Sequence, residues 1–379
     1  MDKVIVLGND HTNSLGIVQC LGRSGFQMIA FVWGVKTGFV KSSIYAKEVH
    51  TAKDVQSCID LMLQLYGDNE KKIPIIACCD TAALALERNS DRLQNVFLYE
   101  YSISYTLDYL AKKENQVRLA VEADFEVPKT WNLNDSKVVP KDVTFPCLIK
   151  PLVSCEGAKS DIKICRTIEE LQHNLNNLQF TKCVILQQYI ERDYEISILG
   201  CGLKNGDVII PCVENKLTLY PRNVGLECLA NIQPLKDMQI VNSIELFIKT
   251  IGYVGVFSVE MMHCKKDNKY YFTEINLRND GANGFVYKYG ANLPLNHIED
   301  LLGRPLTEFT KFNSGYYIWE MHHLQSLLHR EITLRQWFSE LKKSRGFLVY
   351  FPEDKVPFYR QFVNSFMHLL RIKKIEYYM

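Results

Sequence analysis

Near residue 270 the chain places two carboxylates, an amide and a guanidinium at a spacing that can bind ions. VGVFSVEMMH (254–263) and KYYFTEINLR (269–278) are strand-like runs joined by the polar turn KKDN, with Glu260 and Glu274 near their centres. A short turn makes the two runs antiparallel neighbours and brings the carboxylates within reach of each other. Asn276 follows Glu274 by two, so strand alternation projects both side chains to one face, and Arg278 comes next on it. Two carboxylates and an amide oxygen form a hard oxygen set suited to Mg²⁺ that leaves positions for phosphate oxygens. Arg278 can hold an anion by its planar fork. A solvated polar sheet face is the plain alternative. Against it stand the apolar neighbours Val256, Phe257, Val259, Phe272 and Ile275, and the cost of opposing like charges with no cation between them.

The elements that must position these residues fall into two kinds. The first hundred residues alternate short apolar runs with helical stretches: VIVLG (4–8), Ser14 to Gly25, QMIAFVW (27–33), Val55 to Tyr66, IPIIACC (73–79), Thr81 to Asn89 and VFLY (96–99). This pattern predicts a Rossmann-like, doubly wound parallel sheet. The turn GNDHTNSLG lacks the GxGxxG fingerprint, which weakens a nucleotide-dependent oxidoreductase reading. Asp10, His11, Asn13 and Ser14 nevertheless sit where such folds bind ligands, with helix capping by Asn13 or Ser14 as the alternative. One helix is predicted from Asp108 to Ala123, ending before Pro128. Beyond it FPCLIKP (145–151), SDIKICR (160–166), CVILQQYI (183–190), YEISILGCG (194–202) and DVIIPCV (207–213) read as antiparallel strands.

Composition narrows the function classes. A length of 379 residues allows two or three domains at about 150 residues each. A net charge of +1, from 44 basic and 43 acidic residues, removes the footprint of a nucleic-acid binder. No segment reaches the roughly 18 apolar residues of a spanning helix, and MDKVIVLGND lacks a secretory core; a soluble cytoplasmic protein is expected. The 12 cysteines include no CxxC pair and read as reduced structural thiols. GAKS (157–160) is not a P-loop, and kinase signatures and a G-x-S-x-G elbow are absent.

FTEINLRNDG (272–281) resembles the E-x-N-x-R signature of the ATP-grasp superfamily, and looks closest to its carboxylate-amine ligase branch. That branch has a nucleotide fold like that of carbamoyl phosphate synthetase and includes D-aspartate ligases. EADFEVPKTW (122–131) resembles the family's entry into its small subdomain, FPCLIKPLVSCEG (145–157) its lysine strand and mobile loop, and CVILQQYIERDYEIS (183–197) its hinge strand. In order, these cover about residues 108–300.

The resemblance implies a fold of α/β plus α+β type: a Rossmann-like domain at 1–107, a small ATP-grasp subdomain at 108–185, a large one at 186–305 carrying the metal site, and an extension at 306–379. It implies Mg²⁺, or Mn²⁺ in its place, on Glu260, Glu274 and Asn276. ATP would meet Lys150, Lys113 (with Lys112 an adjacent competitor), the backbone around Ser154 and Gly157, and the hinge Gln188, Tyr189, Ile190 and Glu191, with Glu195 on the ribose. The hinge departs from the family pattern in carrying Gln187 and Gln188 where many relatives have a glutamate, and in lacking the glycine before the final glutamate. Arg278 would steady the carboxylate or the transferring phosphoryl group together with Lys150. The implied reaction is activation of a carboxylate as acyl-phosphate and its joining to an amine, releasing ADP and phosphate. An amino acid, a peptidoglycan precursor or an amino sugar is the implied acceptor. Rivals are an ATP-dependent carboxylase and a non-catalytic ATP-binding module.

For the substrates, Asn279, Asn283 and Lys288 after Arg278, and Arg222 and Lys216 in a loop at 214–227, are candidates. GFLVYF (346–351) reads as a strand. From Val356 to Ile372 a basic amphipathic helix is predicted, with Phe358, Tyr359, Phe362, Val363, Phe366, Leu369 and Leu370 on its apolar face. Such a helix can lie on an anionic membrane, although packing on the protein body is the commoner fate. The sequence leaves a homo-oligomer open.

Overall fold

The computed structural model describes residues 2–34, 38–133, 138–151, 162–178, 184–222, 226–309 and 312–369. The predicted phosphate-covering loop with Ser154 and Gly157 lies outside the described residues, as does the end of the C-terminal helix.

Five strands, β1 (Lys3–Asn9), β2 (Gln27–Trp33), β3 (Ala46–Thr51), β4 (Ile73–Ala77) and β5 (Phe97–Leu98), form a parallel sheet in the order β3-β2-β1-β4-β5. β1 and β2 are apolar on both faces because helices cover both sides. The strand order reverses between β1 and β4, so their carboxyl ends flank a crevice at the topological switch point, where open α/β sheets bind ligands. Asn9 to Ser14 and Cys78 to Thr81 stand there. Gly8 is required at this edge, since a Cβ on it would come within 2.8 Å of the Cys78 Cβ.

After the two-residue strand β6 (Tyr101–Ser102), the predicted helix over 108–123 divides into Leu107–Leu110 and Lys113–Glu122. The break has a local cause: the Asn115 and Gln116 side-chain amides donate to the carbonyls of Tyr109 and Leu110, each at 2.8 Å. Those carbonyls would otherwise serve a continuous helix. Lys113 thereby becomes the first residue of its own helix, with Lys112 outside it.

A small antiparallel sheet follows, built from β7 (Thr130–Asn132), β8 (Cys147–Pro151), β9 (Lys163–Cys165) and β10 (Val184–Gln188) in the order β7-β10-β8-β9. It has its own core, with Trp131, Ile149, Leu171 and Leu186 buried together.

The large sheet contains β11 (Arg192–Gly202), β12 (Val208–Tyr220), β13 (Leu226–Gln233), β14 (Tyr253–Cys264), β15 (Lys269–Asn276), β16 (Gly315–Ile318) and β17 (Gly346–Phe347), in the order β15-β14-β11-β12-β13-β16-β17, with β6 on the far end of β14. Helix Met238–Ile251 packs on it, capped at its start by Asp237 and ended by Gly252 in the left-handed region (φ 62°).

Three expectations change. The stretch read as a loop over 214–227 includes the second half of β12, to Tyr220, and the start of β13, from Leu226, because Glu214 to Tyr220 pair along β13. GFLVYF is a strand only over Gly346–Phe347. The segment after 305 is joined to the large sheet through β16 and β17.

In the C-terminal helix, described over Val356–Leu369, Tyr359 and Val363 face solvent while Pro357, Gln361 and Asn364 face inward. The helix lies on the protein body. Among the described residues no helix is long and apolar enough to cross a membrane.

Candidate functional site

Glu260 and Glu274 are directly opposed in the β14–β15 register, as the hairpin pattern predicted. The row continues across the sheet, because Ser197 on β11 pairs with Glu260 and Glu214 on β12 pairs with Ser197. Four polar side chains on four adjacent strands thus share one face of the large sheet.

Each member of the central carboxylate pair is met by an ammonium. Lys216 Nζ donates to Glu260 Oε2 at 2.7 Å, and Ser197 Oγ donates to its other oxygen at 3.1 Å. Lys113 Nζ lies 3.6 Å from Glu274 Oε2, whereas Lys112 is exposed. Asn276 donates through Nδ2 to Ser258 Oγ at 3.3 Å, leaving its carbonyl oxygen as the end that suits a cation. Opposed carboxylates with an amide oxygen on the same face, balanced here by lysines, fit a divalent cation of the Mg²⁺ type. Among the described residues no group of three or more His, Cys, Asp or Glu converges as a metal cage.

Arg278 lies beside this pair, with Nε 3.5 Å from Asp80 Oδ1 and Nη1 3.4 Å from Asp280 Oδ2. Burial opposes its charge, but Asp80, Asp280, Glu274 and Glu260 outweigh burial and hold the guanidinium firmly protonated. Burial likewise opposes the Lys216 charge, and Glu260, Glu227 and Glu214 more than compensate. Lys150 is the exception. Burial, with Lys113 as like-charged neighbour, lowers its ammonium to about 8. Its Nζ donates to Gln187 Oε1 at 2.7 Å on the adjacent strand β10.

One residue that the sequence reading missed sets the position of Lys113. Gln116, 5% exposed, donates to Ile275 O at 3.0 Å and accepts from Ile275 N at 3.1 Å. The amide docks its helix onto β15 next to Glu274. No sequence signal marks it, since its partner is 159 residues away.

At the hinge, the Gln188 and Tyr189 N–H groups already donate to Lys129 O at 2.8 Å and Pro146 O at 3.1 Å. Ile190 is buried, Glu191 is exposed, and Glu195 is paired with Arg192.

A cavity of about 780 Å³ joins the carboxylate pair to the switch point of the N-terminal sheet. Glu260, Glu274, Asn276 and Arg278 line it, as do Asp10, His11, Asn13 and Ser14. Asp10 is held by the backbone amides of Gly38 and Val40 at 2.6 and 2.8 Å. The first residue before helix Thr12–Arg23 is His11, and neither Asn13 nor Ser14 caps it. Ser14 Oγ donates instead to Asn9 O at 2.7 Å.

The suggested substrate residues fare unevenly. Lys216 lines the cavity; Arg222, Asn279, Asn283 and Lys288 do not. Arg222 is exposed. Asn279 and Asn283, 1% and 0% exposed, belong to a buried amide relay. Asn13 Nδ2 donates to Cys78 O and Asn279 O, both at 2.9 Å, Asn279 returns a bond to Asn13 Oδ1, and Asn283 Nδ2 donates to Asn279 Oδ1 at 2.9 Å. Their amides hold the N-terminal sheet to the loop after β15. Lys288 donates to the carbonyls of Phe347 and Tyr350 at 2.5 and 3.0 Å and lies over the Phe351 ring.

Residues 118–284 match the sequence model of the ATP-grasp domain. The formate-dependent phosphoribosylglycinamide formyltransferase of Bacillus velezensis is 26% identical over 220 residues, 54% of this chain and 54% of that protein. That of Wolinella succinogenes is 25% identical over 188 residues, 46% and 45% of the two chains. The chain thus spans about half the length of the curated relatives it matches. Among solved structures, N5-carboxyaminoimidazole synthetase from Staphylococcus aureus aligns with a TM-score of 0.66 at 13% identity, covering 88% of each chain. L-amino acid ligase from Bacillus licheniformis aligns with a TM-score of 0.62 at 13% identity, over 83% of this chain and 80% of that one. Sequence match and architecture agree: residues 118–284 are similar to the ATP-grasp domain, and the fold around them is shared with these structures.

Proposed function

We propose that the protein is a Mg-ATP-dependent ligase that activates a carboxylate as an acyl-phosphate and joins it to an amine, forming an amide with release of ADP and phosphate. The observation that carries this reading is the register pairing of Glu260 with Glu274 beside Asn276 and Arg278 on one face of the large sheet. Glu260, Glu274 and Asn276 would hold Mg²⁺, which, when bound, neutralises the triphosphate and the charge that develops as the γ-phosphoryl group moves. Lys150 and Lys113 reach toward the phosphates as point charges. The hinge at Ile190 and Glu191 receives the adenine edge, since the amides of Gln188 and Tyr189 are already bonded within the protein. Glu195 meets the ribose after parting from Arg192. Ser154 and Gly157 would cover the phosphates through backbone amides.

The chain's own part in the chemistry is placement and charge. Arg278, kept protonated by four carboxylates, orients the substrate carboxylate or the transferring phosphoryl oxygens. No protein nucleophile is needed, because the acyl-phosphate is attacked by the amine itself. As working domains the division 1–107, 108–185, 186–305 and 306–379 serves, with the last contributing strands to the large sheet.

A second reading, ATP-dependent activation of a one-carbon carboxylate, is favoured by the names of the curated relatives, which are formate-dependent. Both readings are tested by ADP release in Mg-ATP and hydroxylamine across amino acids, other carboxylates, formate and bicarbonate. Hydroxamate formed with an amino acid, and reduced about 10²-fold or more in Glu274→Gln, is the expected outcome. ADP release driven by bicarbonate or formate alone would transfer the assignment to the second reading. ATP binding with no acyl acceptor at all would leave a binding module.

A further inference from the structure

The cavity extends past Arg278 to an end that the ATP chemistry does not use. Its walls come from three parts of the chain: His11 after β1, Glu214 and Glu227 on β12 and β13, and Trp319, His322 and Gln361 from the C-terminal segment. The His11 and Trp319 rings meet edge to face at 5.8 Å, and Trp319 lies 4.0 Å from His322, centroid to centroid. We propose that this end is the acceptor site, and that it takes an unphosphorylated primary amine whose ammonium sits against Glu227 and Glu214 and whose body lies on the Trp319–His322–His11 wall. The assignment of an acceptor rests on the ligase reading above; the preference for a cation does not.

Charge is the first argument. Apart from Glu260 and Glu274, which would hold Mg²⁺, the described lining carries five carboxylates, Asp10, Asp80, Glu214, Glu227 and Asp280, against two fixed cations, Lys216 and Arg278. Lys216 is bonded to Glu260, and Arg278 is flanked by Asp80 and Asp280. With Lys216 already paired and Arg278 committed to the substrate carboxylate or the transferring group, a phosphate entering here would find no further described cation and several carboxylates facing it. An ammonium would relieve the existing repulsion, since burial, and for Glu214 the neighbouring Glu227, pushes both carboxyls toward their neutral form. The two histidines add no positive charge at neutral pH, because burial holds each at about 4. They serve as flat, uncharged walls.

Hydrogen bonding is the second. Gln361 is 5% exposed, lines the cavity, and its Nε2 has no hydrogen-bond partner among the described residues. A buried amide nitrogen without a partner is costly, and a carbonyl or hydroxyl on the acceptor would satisfy it. Trp319, His322 and Gln361 all lie outside the matched domain, so the C-terminal segment carries the acceptor specificity.

The test uses the full chain and three ligands on one phenethylamine frame: tyramine, its uncharged N-acetyl form and its O-phosphate, titrated by calorimetry with Mg-ADP present. Tyramine should bind at least about tenfold more tightly than the other two, and Glu227→Gln should remove that margin while binding Mg-ATP as the parent does. Trp319→Leu should weaken tyramine and N-acetyltyramine alike. Equal binding of the three, tighter binding of the phosphate, or no binding of tyramine to protein that binds Mg-ATP would overturn the proposal. Failure to bind Mg-ATP at all would instead remove the ligase reading, while the ordering of the three ligands would still judge the cation preference.

Discussion

On the proposed reading, Lys150 is the residue through which pH would act on nucleotide binding. Its ammonium, lowered by burial and by Lys113 to about 8 against an ordinary 10.5, is partly deprotonated in mildly alkaline solution. A triphosphate placed beside it favours the charged form, so binding must draw a proton from solvent above neutral pH. ATP affinity should fall from pH 7 to pH 9, by up to about tenfold per unit. Calorimetry in buffers of different ionisation enthalpy should register proton uptake near pH 8, and Lys150→Met should abolish both effects. In the absence of ligand the sign reverses. The unfolded chain holds this proton up to about 10.5, so the free protein gains stability as pH rises from about 8 toward that value. The carboxylate pair and Arg278 were legible in the sequence because a hairpin and strand alternation are local patterns. Asn279 and Asn283 misled, since an amide that turns a loop and an amide that locks two domains look alike until the partner, Asn13, is in place.

Among the elements, the helix Lys113–Glu122 shows how one side chain sets the place of another. Gln116 replaces a continuing helix bond at Leu110 and also spans both backbone groups of Ile275. Gln116→Leu keeps much of the volume and strands those groups, which should cost about 1–3 kcal/mol in denaturant unfolding. With Lys113 no longer held opposite Glu274, KM for ATP should rise more than kcat falls, a split that simple loss of folded protein would not produce. Periodicity located this helix but extended it too far, because the competing side-chain bonds are invisible to a hydrophobic pattern. The same blindness affected the C-terminal helix. Apolar spacing assigned Tyr359 and Val363 to the buried face, yet the inward face carries Gln361 and Asn364 because it borders a polar cavity. Glu214 to Tyr220 failed as a loop for the opposite reason: charged residues on a strand are expected wherever a sheet face lines a site.

Across the whole molecule, function depends on how the N-terminal sheet is fastened to the large one, since the cavity has walls on both. The class of each sheet was readable from alternation, but their mutual placement was not, because it rests on contacts between residues more than two hundred positions apart. Among them are an amide exchange and a backbone contact next to the switch point. The Asn13–Asn279 amide exchange bridges 266 residues. Gly16 on the helix Thr12–Arg23 packs backbone to backbone on Gly284, where an added Cβ would stand 3.3 Å from the Gly284 Cα. A single methyl is nearly tolerated there, but Gly16→Val would push the helix off and carry His11 with it, away from Trp319. The proposed nucleotide end is built on β8, β10, β14 and β15, not on the helix Thr12–Arg23. Gly16→Val should therefore bind Mg-ATP nearly as the parent does, yet lose amine-dependent ADP release and much of the calorimetric signal for tyramine. Gly16→Ala should fall between the two. Parallel loss of both ligands would mean that the N-terminal sheet also shapes the nucleotide end, and that the two halves of the cavity are not separable.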